Sequence, residues 1–302
     1  MGKKILITGG TGLIGKRLTQ FLLEKDYTVR YLSRSKRAIK DVEVYEWHPD
    51  EGTIDKAAFA DIDGIVHLAG AGVADKRWTD SRKKEILESR TQSTELLATT
   101  IDALGIHPKA FVSASAIGYY GIDTGEQLLD ESSKVGSDFL ADVTSKWEES
   151  AEGFIKKGIR TVKVRVGVVL STESGALPKL LQPIRLGLGA PLGSGKQYLS
   201  WIHIDDIARI FLYALENEQL QGAYNGVAPH PVTNTEMTKM VASVIHRPAF
   251  LPNVPSFMLK MMLGEMASIV IDGNRVSSKK IANSGFEFKF PDLKKALEQL
   301  LD

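Results

Sequence analysis

Three glycines at three-residue spacing, Gly9, Gly12 and Gly15, are the strongest chemical signal in the sequence. They follow a short β-rich run, KKILIT, and precede apolar residues at helical spacing. In such a unit the glycines allow a tight turn, close approach of a pyrophosphate and close helix packing. The helix start adds free N–H groups that favour an anion. The loop therefore predicts a dinucleotide site rather than a purely structural turn, with cofactor contacts from Gly9, Gly10, Thr11, Gly12, Leu13, Ile14 and Gly15.

The second chemical signal lies at the end of the next strand-like run. In dinucleotide-binding folds the residue that recognises the ribose stands about 20 positions after the loop. There the sequence reads YLSRS, with Ser33 and Arg34 and no acid. An acid would accept from the 2′-hydroxyl of NAD, whereas an arginine pairs with a 2′-phosphate, and Arg37 adds charge. The sequence favours NADP (NADPH); the alternative is that Arg34 is a solvated loop cation.

The elements that must position these residues alternate between strand-like and helix-like runs. The apolar runs ILIT and GIVHLA indicate a parallel sheet that helices cover on both faces. We therefore predict an α/β fold, a Rossmann-type doubly wound parallel sheet, over residues 1–170. Its strand-like runs are KKILITGG, TVRYLSR, VEVYEW, GIVHLAG, AFVSASA and RTVKVRVGVVL, and its longest helix-like runs begin at Ser81 and Leu140.

The composition changes after residue 170, where Gly, Ser, Leu and Pro become frequent. We predict that residues 171–302 form a smaller, mixed α/β region that caps the substrate. A helix-like run within 203–222 is expected to return and pack on the first domain. The stretch PSFMLKMMLGEMA has methionines at helical spacing, which predicts adaptable core packing rather than a binding face.

Several ordered motifs together resemble the extended, epimerase-like branch of the short-chain dehydrogenase/reductase superfamily. They are ITGGTGLIG, DIDGIVHLAGAG, FVSASAIGYYG, VRVGVVLS and SWIHIDDIAR, and they span nearly the whole chain. RWTDSRKKEILESR and the C-terminal segment 250–302 resemble more narrowly a group called epimerase family proteins. That group is often described as nucleoside-diphosphate-sugar epimerases, a label that rests on fold analogy. The resemblance implies an NADP(H)-binding oxidoreductase or epimerase-like enzyme for a small polar, nucleotide-sugar-like substrate.

The resemblance also implies roles for single residues. Ser115 aligns with the serine that holds a substrate hydroxyl or carbonyl, and Lys146 with the lysine that grips the nicotinamide ribose. His203 and Asp205 are expected to hold the capping region on the core. Further cofactor contacts are expected from Leu68, Ala69, Gly70, Gly167 and Val168.

Position 142 departs from the family pattern, because Asp142 stands where the resemblance expects the catalytic tyrosine, four residues before Lys146. The two side chains share a helix face and predict an exposed ion pair. Alternatively Asp142 is itself the acid/base, or Tyr119 or Tyr120 supplies a phenol from the opposite wall. A function from another class also stays open: an NADP(H)-binding redox sensor or regulatory module without turnover.

The stretch APLGSGKQ is similar to a phosphate loop but lacks its required residues, because Ala190 and Gln197 occupy the glycine and Ser/Thr positions. We expect instead a substrate-facing flap, in which Arg185 or Lys196 could meet an anionic group.

The overall composition excludes several classes of protein. With 302 residues, 43% of them hydrophobic, and a formal charge of +1, the chain is typical of a globular protein without nucleic-acid or membrane partners. Six histidines without metal-type spacing and no cysteine predict no metal site. The run Ile5 to Ile7 is too short for a signal segment, so we expect a cytoplasmic location. The resemblance allows a homodimer.

Overall fold

The computed structural model describes residues 2–301. Its strands are β1 (Lys4–Thr8), β2 (Thr28–Ser33), β3 (Val42–His48), β4 (Thr53–Ile54), β5 (Gly64–His67), β6 (Ala110–Ala116), β7 (Asp123–Leu129), β8 (Arg160–Val166), β9 (Val168–Leu170), β10 (Tyr198–Leu199), β11 (Trp201–His203), β12 (Gly222–Gly226), β13 (Val232–Thr233) and β14 (Gly273–Val276). Its helices are α1 (Leu13–Leu23), α2 (Asp80–Leu104), α3 (Phe139–Ser150), α4 (Glu152–Lys156), α5 (Ala176–Arg185), α6 (Ile204–Glu216), α7 (Asn234–Val244), α8 (Ser256–Leu263), α9 (Ser268–Ile271), α10 (Lys279–Asn283) and α11 (Leu293–Leu301).

The central sheet has eight strands in the order β12-β8-β6-β5-β1-β2-β3-β4. All neighbours are parallel except β3 and β4. Strand order reverses between β1 and β5, and in such sheets ligands bind at the carboxyl ends of the strands beside this point. The predicted doubly wound α/β fold is confirmed.

Apolar residues cover both faces of the sheet. On one face α1 and α6 pack against it, with Leu18 and Phe211 fully buried. On the other face α2 and α4 contribute Leu97 and Phe154, and Phe154 stacks on Phe111 of β6 with 3.6 Å between ring centroids. Burial on both sides explains why the strands read as continuous apolar runs.

The predicted strand through RTVKVRVGVVL is broken at Gly167. There β8 ends, and β9 leaves the central sheet to pair with β11. A Cβ at position 167 would lie 2.3 Å from the carbonyl oxygen of Ser200, so only glycine fits. The backbone N–H of Gly167 donates to the carbonyl oxygen of Gly226 (3.1 Å), which links the break to β12.

The C-terminal part of the chain divides between the central sheet and a cap. Helix α6 packs on α1, and β12 extends the sheet beside β8, so the returning segment reaches residue 226. The cap contains α5, which the Gly- and Pro-rich composition did not predict. It also contains two small sheets, β10 with β13 and β7 with β14. The second of these ties the C-terminal segment to residues 123–129.

The expectation that the methionines of PSFMLKMMLGEMA are core residues is wrong. In α8 only Leu259 is buried, while Met258, Met261 and Met262 are exposed at 41%, 70% and 66%. Only the Leu259 side of α8 packs against the rest of the cap, so the other apolar side chains of the helix stay exposed. No helix within residues 2–301 is both long and apolar enough to cross a membrane.

Candidate cofactor and catalytic site

The glycine loop forms a cradle between β1 and α1. Gly9 adopts a φ of +67°, and a Cβ there would lie 2.8 Å from the backbone of Leu68. A Cβ on Gly15 would lie 2.5 Å from the carbonyl oxygen of Gly9. Gly12 precedes the first turn of α1, so no side chain obstructs the free N–H groups there. These close approaches are those that a pyrophosphate-binding loop requires.

The end of β2 presents exposed cations beside this cradle. Ser33 is half-buried, and Arg34 and Arg37 are exposed. The pKa of Glu85, on α2, is lowered chiefly by a hydrogen bond from Arg82 and in smaller part by the charge of Arg34. Arg34 is therefore close enough to α2 for its charge to act on Glu85, and its side chain is exposed.

The loop after β5 is held in place by α2. The backbone N–H of Ala71 donates to Ser89 Oγ (2.9 Å), and Arg90 Nη1 donates to the Ala71 carbonyl (3.0 Å). A Cβ on Gly70 would lie 3.0 Å from Arg90 Cζ. Thr8 Oγ1 accepts from the backbone N–H groups of Leu68 and Ala69, both at 3.2 Å, which joins this loop to β1.

Two arginines of α2 were missed by the sequence prediction. Arg82 Nη2 donates to the Gly72 carbonyl, and Arg90 lies over the ring of Trp147 at 5.0 Å. Burial and the nearby charge of Arg82 lower the pKa of Arg90 to about 10. The eight-residue spacing of these arginines puts both on one face of the helix, and this is the signal that could have revealed them.

Helix α3 presents Asp142 and Lys146 at the protein surface. Asp138 caps the helix, because its side chain accepts from the backbone N–H groups of Leu140 and Ala141. Lys146 Nζ donates to Asp142 Oδ2 at 2.9 Å, and each side chain is about half exposed. The predicted ion pair is therefore present.

Ser115 lies at the end of β6 but is only 3% exposed. Its hydroxyl donates to Glu148 Oε1 at 2.6 Å, and Arg165 Nε donates to the same oxygen at 2.7 Å. Arg165 Nη2 reaches Glu148 Oε2 at 2.9 Å, which completes a bidentate pair. Burial alone would lower the pKa of Arg165, but the bonds and charge of Glu148 outweigh it and raise that pKa. The substrate role of Ser115 stays a prediction, and its observed partner is internal.

The adjacent Tyr119 and Tyr120 lie in different environments. Tyr120 is 3% exposed, donates to Asn225 Oδ1 (2.7 Å) and accepts from Arg165 Nη1 (3.0 Å). Burial raises the pKa of Tyr120 to about 12. Tyr119 is partly exposed, and its ring lies 3.5 Å from Arg165 Cζ. Of the two tyrosines, Tyr119 is the more exposed.

His203 and Asp205 connect the core to the C-terminal segment. His203 Nδ1 accepts from the backbone N–H of Asp205 at the start of α6, and its Nε2 lies 2.8 Å from Gln299 Oε1. Arg17 of α1 donates to Asp205 at 2.6 Å. These contacts agree with the expected structural role. Within residues 2–301, no group of three His, Asp or Glu side chains is arranged to hold a metal ion.

Comparison with known proteins shows which family has this sheet, glycine cradle and C-terminal segment. The model of the NAD dependent epimerase/dehydratase family matches residues 5–226, and a domain of unknown function, DUF1731, matches residues 254–300. The chain belongs to the NAD-dependent epimerase/dehydratase family. The resemblance to extended short-chain dehydrogenase/reductases and to epimerase family proteins is thereby confirmed.

The relatives of this epimerase-family chain align over nearly its whole length. The epimerase family protein YfhF of Bacillus subtilis is 38% identical over 98% of this chain and 97% of its own. The crystal structure of the human epimerase family protein SDR39U1 with NADPH has a TM-score of 0.86 and 34% identity, covering 98% of each chain. A nucleoside-diphosphate sugar epimerase from Corynebacterium glutamicum has a TM-score of 0.81 and 32% identity, covering 100% of this chain and 58% of that one.

Proposed function

We propose that this chain is an NADP(H)-dependent oxidoreductase or epimerase-like enzyme that acts on a small polar, nucleotide-linked substrate. The observation that carries the proposal is the glycine cradle next to the exposed Arg34, with no acid at the end of β2. The human relative was crystallised with NADPH, and the Corynebacterium relative is described as a nucleoside-diphosphate sugar epimerase. Both descriptions support the proposal.

The residues divide into groups according to the part of the cofactor that each would hold. The loop from Gly9 to Gly15 would hold the pyrophosphate, and Ser33 with Arg34 would hold the 2′-phosphate. The segment Leu68–Gly70 would line the adenosine side, and Lys146 would hold the nicotinamide ribose. Gly167 and Val168 would line the nicotinamide. When bound, the cofactor supplies hydride chemistry, and the protein supplies binding and orientation.

A proton must also move at the substrate oxygen, and Tyr119 is the strongest candidate to donate it. Asp142 is engaged by Lys146, and Tyr120 is buried with both of its hydrogen-bond partners inside the protein. Tyr119 is partly exposed, and its stacking on the Arg165 guanidinium fixes its ring. General acid work needs a donor that reaches the reacting oxygen. Among these side chains Tyr119 is the one that is neither ion-paired nor fully buried, which supports its assignment.

The cofactor assignment is tested by the substitution Arg34→Ala, with Lys36→Ala as the matched control on the same exposed loop. Calorimetric titration with NADPH and NADH measures both affinities. We expect Arg34→Ala to weaken NADPH about tenfold or more, since a charge-assisted hydrogen bond is lost, and to leave NADH unchanged. Equal NADPH affinity in both variants would refute the 2′-phosphate role.

The proton donor is tested with Tyr119→Phe and its neighbour Tyr120→Phe. The assay follows NADPH absorbance with a panel of nucleotide-linked sugars and small carbonyl compounds. We expect Tyr119→Phe to abolish turnover with unchanged NADPH affinity, and Tyr120→Phe to lower stability instead, because it leaves Asn225 and Arg165 without their phenol. Full activity in Tyr119→Phe would remove it from the mechanism.

A second candidate is an NADP(H)-binding module without turnover, which senses redox state or regulates a partner. Asp142 in place of the expected tyrosine favours it, as does the internal partner of the Ser115 hydroxyl. Such a module would bind NADPH and NADP⁺ with different affinities, yet leave NADPH absorbance constant with every compound of the panel.

A further inference from the structure

Six large apolar side chains of the cap are exposed to solvent, and they come from segments that lie next to one another. We call this set the apolar face. Its members are 57–77% exposed, and they come from the loop after α5, from residue 250 and from α8. Contiguous exposed apolar surface of this kind marks an interaction site. The apolar face consists of Leu186, Leu188, Phe250, Phe257, Met261 and Met262.

Backbone contacts show that the two segments carrying these side chains run side by side. The N–H of Val254 donates to the Pro191 carbonyl (2.8 Å), and the N–H of Gly193 donates to the Val254 carbonyl (2.9 Å). Asn253 Nδ2 donates to the Gly193 carbonyl at 3.1 Å. The loop after α5 and the segment leading into α8 therefore lie next to each other.

The end of α8 is fixed, so its outer side chains stay exposed rather than folding onto the cap. Arg77 Nη2 donates to the carbonyls of Met261 (3.0 Å) and Met262 (2.6 Å). Lys83 pairs with Glu265, just after the helix. Arg77 and Lys83 follow the loop after β5, so the apolar face adjoins the cofactor-binding half of the molecule.

Charge distinguishes this surface from the rest of the chain. Residues 174–204 and 237–264, which supply the apolar face, contain six Lys and Arg and no Asp or Glu, and acids flank them at positions 173, 205, 236 and 265. Of these, Glu265 next to α8 is paired with Lys83. The remaining chain has 32 Lys and Arg against 37 Asp and Glu, a net charge of −5. Arg185, Arg247 and Lys260 are exposed and stand beside members of the apolar face in the sequence. The expectation of no membrane partner rested on the overall charge of +1. That value is the sum of +6 in these two stretches and −5 in the remaining chain, so it conceals the local excess of cations.

We propose that the apolar face docks the protein on the surface of a bilayer that contains anionic lipids. Aromatic, Met and Leu side chains enter the headgroup boundary, and neighbouring Lys and Arg residues bind the anionic headgroups. A second copy of the chain fits less well, because a two-fold interface would bring these cations against themselves. Nucleic acid would match the charge but leave the apolar side chains without a partner.

The experiment is vesicle co-sedimentation with the full chain. One set of vesicles is phosphatidylcholine alone, and the other contains phosphatidylglycerol as well. We expect binding to the anionic vesicles that weakens as salt increases. Phe257→Ser with Met261→Ser should reduce partitioning about tenfold or more, since apolar area no longer leaves water. Arg185→Glu with Lys260→Glu should reduce it at least about 25-fold, because each cation near an anionic leaflet contributes about fivefold.

Matched controls carry the same changes elsewhere on the surface. Lys56→Glu with Lys156→Glu reverses two exposed charges, and Leu128→Ser with Val135→Ser removes two exposed apolar side chains. Controls should bind vesicles as the unchanged chain does, and every variant should keep its NADPH affinity and melting temperature.

Two outcomes would overturn the proposal. The first is no binding to anionic vesicles; if the face variants then abolish either a dimer in analytical ultracentrifugation or binding to a DNA or RNA duplex, that partner takes the place of the membrane. The second is vesicle binding that the face variants share with the controls.

Discussion

Helix α3 carries two ion pairs that lie on different sides of it and in different environments. Asp142 and Lys146 meet at 2.9 Å with both side chains about half exposed. Glu148 meets Arg165 at 2.7 Å, with the two side chains only 8% and 4% exposed. The exposed pair occupies the positions where the sequence resemblance leads us to expect a catalytic pair, whereas the buried pair anchors α3 to β8 and, through Ser115, to β6.

The difference shows that the two sides of α3 are constrained to different degrees, because one pair lies in water and the other in the core. An exposed pair costs little to alter, because water screens its charges. A buried pair cannot lose one partner without leaving an uncompensated charge in the core. Substitution at position 142 is therefore compatible with the fold, and the proposed function assigns the proton to Tyr119 instead.

The largest expected effect comes from breaking the buried pair with Glu148→Ala. It leaves Arg165 without its carboxylate and Ser115 without its acceptor, so we expect a loss of about 3–5 kcal/mol in the free energy of unfolding. Urea denaturation measures this loss. Glu149→Ala, one residue later and exposed, is the control and should change stability by less than about 0.5 kcal/mol. Similar losses in both variants would contradict the comparison.

A second prediction concerns His67, whose ring meets Trp147 of α3 edge-on at 6.5 Å. Burial, and to a smaller degree the charge of Arg90, lowers the pKa of His67 from 6.5 to about 3. Below pH 6.5 the unfolded chain binds a proton here that the folded chain does not, so stability falls as the pH falls. Between pH 6.5 and 5 the share of His67 in this loss is about 1.6 kcal/mol.

Urea denaturation at several pH values isolates that share. His67→Asn should remove it, so the stability of the variant should depend less on pH than that of the unchanged chain. His107→Asn, at an exposed position, should keep the original dependence. Parallel pH profiles for His67→Asn and the unchanged chain would show that His67 does not titrate as described.

The exposed pair is tested for a cofactor role with Lys146→Met. If Lys146 holds the nicotinamide ribose, NADPH affinity should fall about tenfold, the value of a charge-assisted hydrogen bond. The melting temperature should stay the same, because the ammonium is half exposed. Isothermal titration measures the affinity, with Lys156→Met on α4 as control. An unchanged affinity would leave Lys146 a surface cation only.

The smallest effect is expected from Asp142→Ala. Losing an exposed i,i+4 pair should cost about 0.5 kcal/mol or less in urea denaturation. Asp142→Asn keeps the shape of the side chain and should give the same result. A loss above about 2 kcal/mol would mean that the pair is buried by neighbouring parts of the cap.

Much of the first half of the fold was predictable because each element carries its own local signal. The apolar runs of β1 and β5, the glycines of the loop and the helical spacing of α1 all depend on neighbours in sequence. The end of β8 was not predictable in this way. Its break at Gly167 is required by the Ser200 carbonyl, which lies 33 positions later in the chain. Helix α5 was hidden by Pro183 and the surrounding glycines, and it is stabilised by burying Leu177 and Ile184 in the cap.

The candidate site divides in the same way. Gly9, Gly15 and Arg34 were recognisable from spacing, because a dinucleotide loop is a local structure. The internal partners of Ser115 and the different surroundings of Tyr119 and Tyr120 depend on Glu148, Arg165 and Asn225, which come from other elements. Helical spacing of the methionines in α8 predicted burial, since spacing describes one face of a helix and cannot tell whether anything packs against it.

The sequence by itself determined the alternating elements, the glycine cradle and the replacement of the expected tyrosine by Asp142, because these are properties of residue type and short spacing. The spacing of Asp142 and Lys146 also predicted their exposed ion pair, whereas only the tertiary structure decided that Ser115 donates into the core. It also decided that α8 presents its apolar side chains outward beside a cationic surface. Burial and partner choice depend on residues far apart in the chain, and folding alone brings them together.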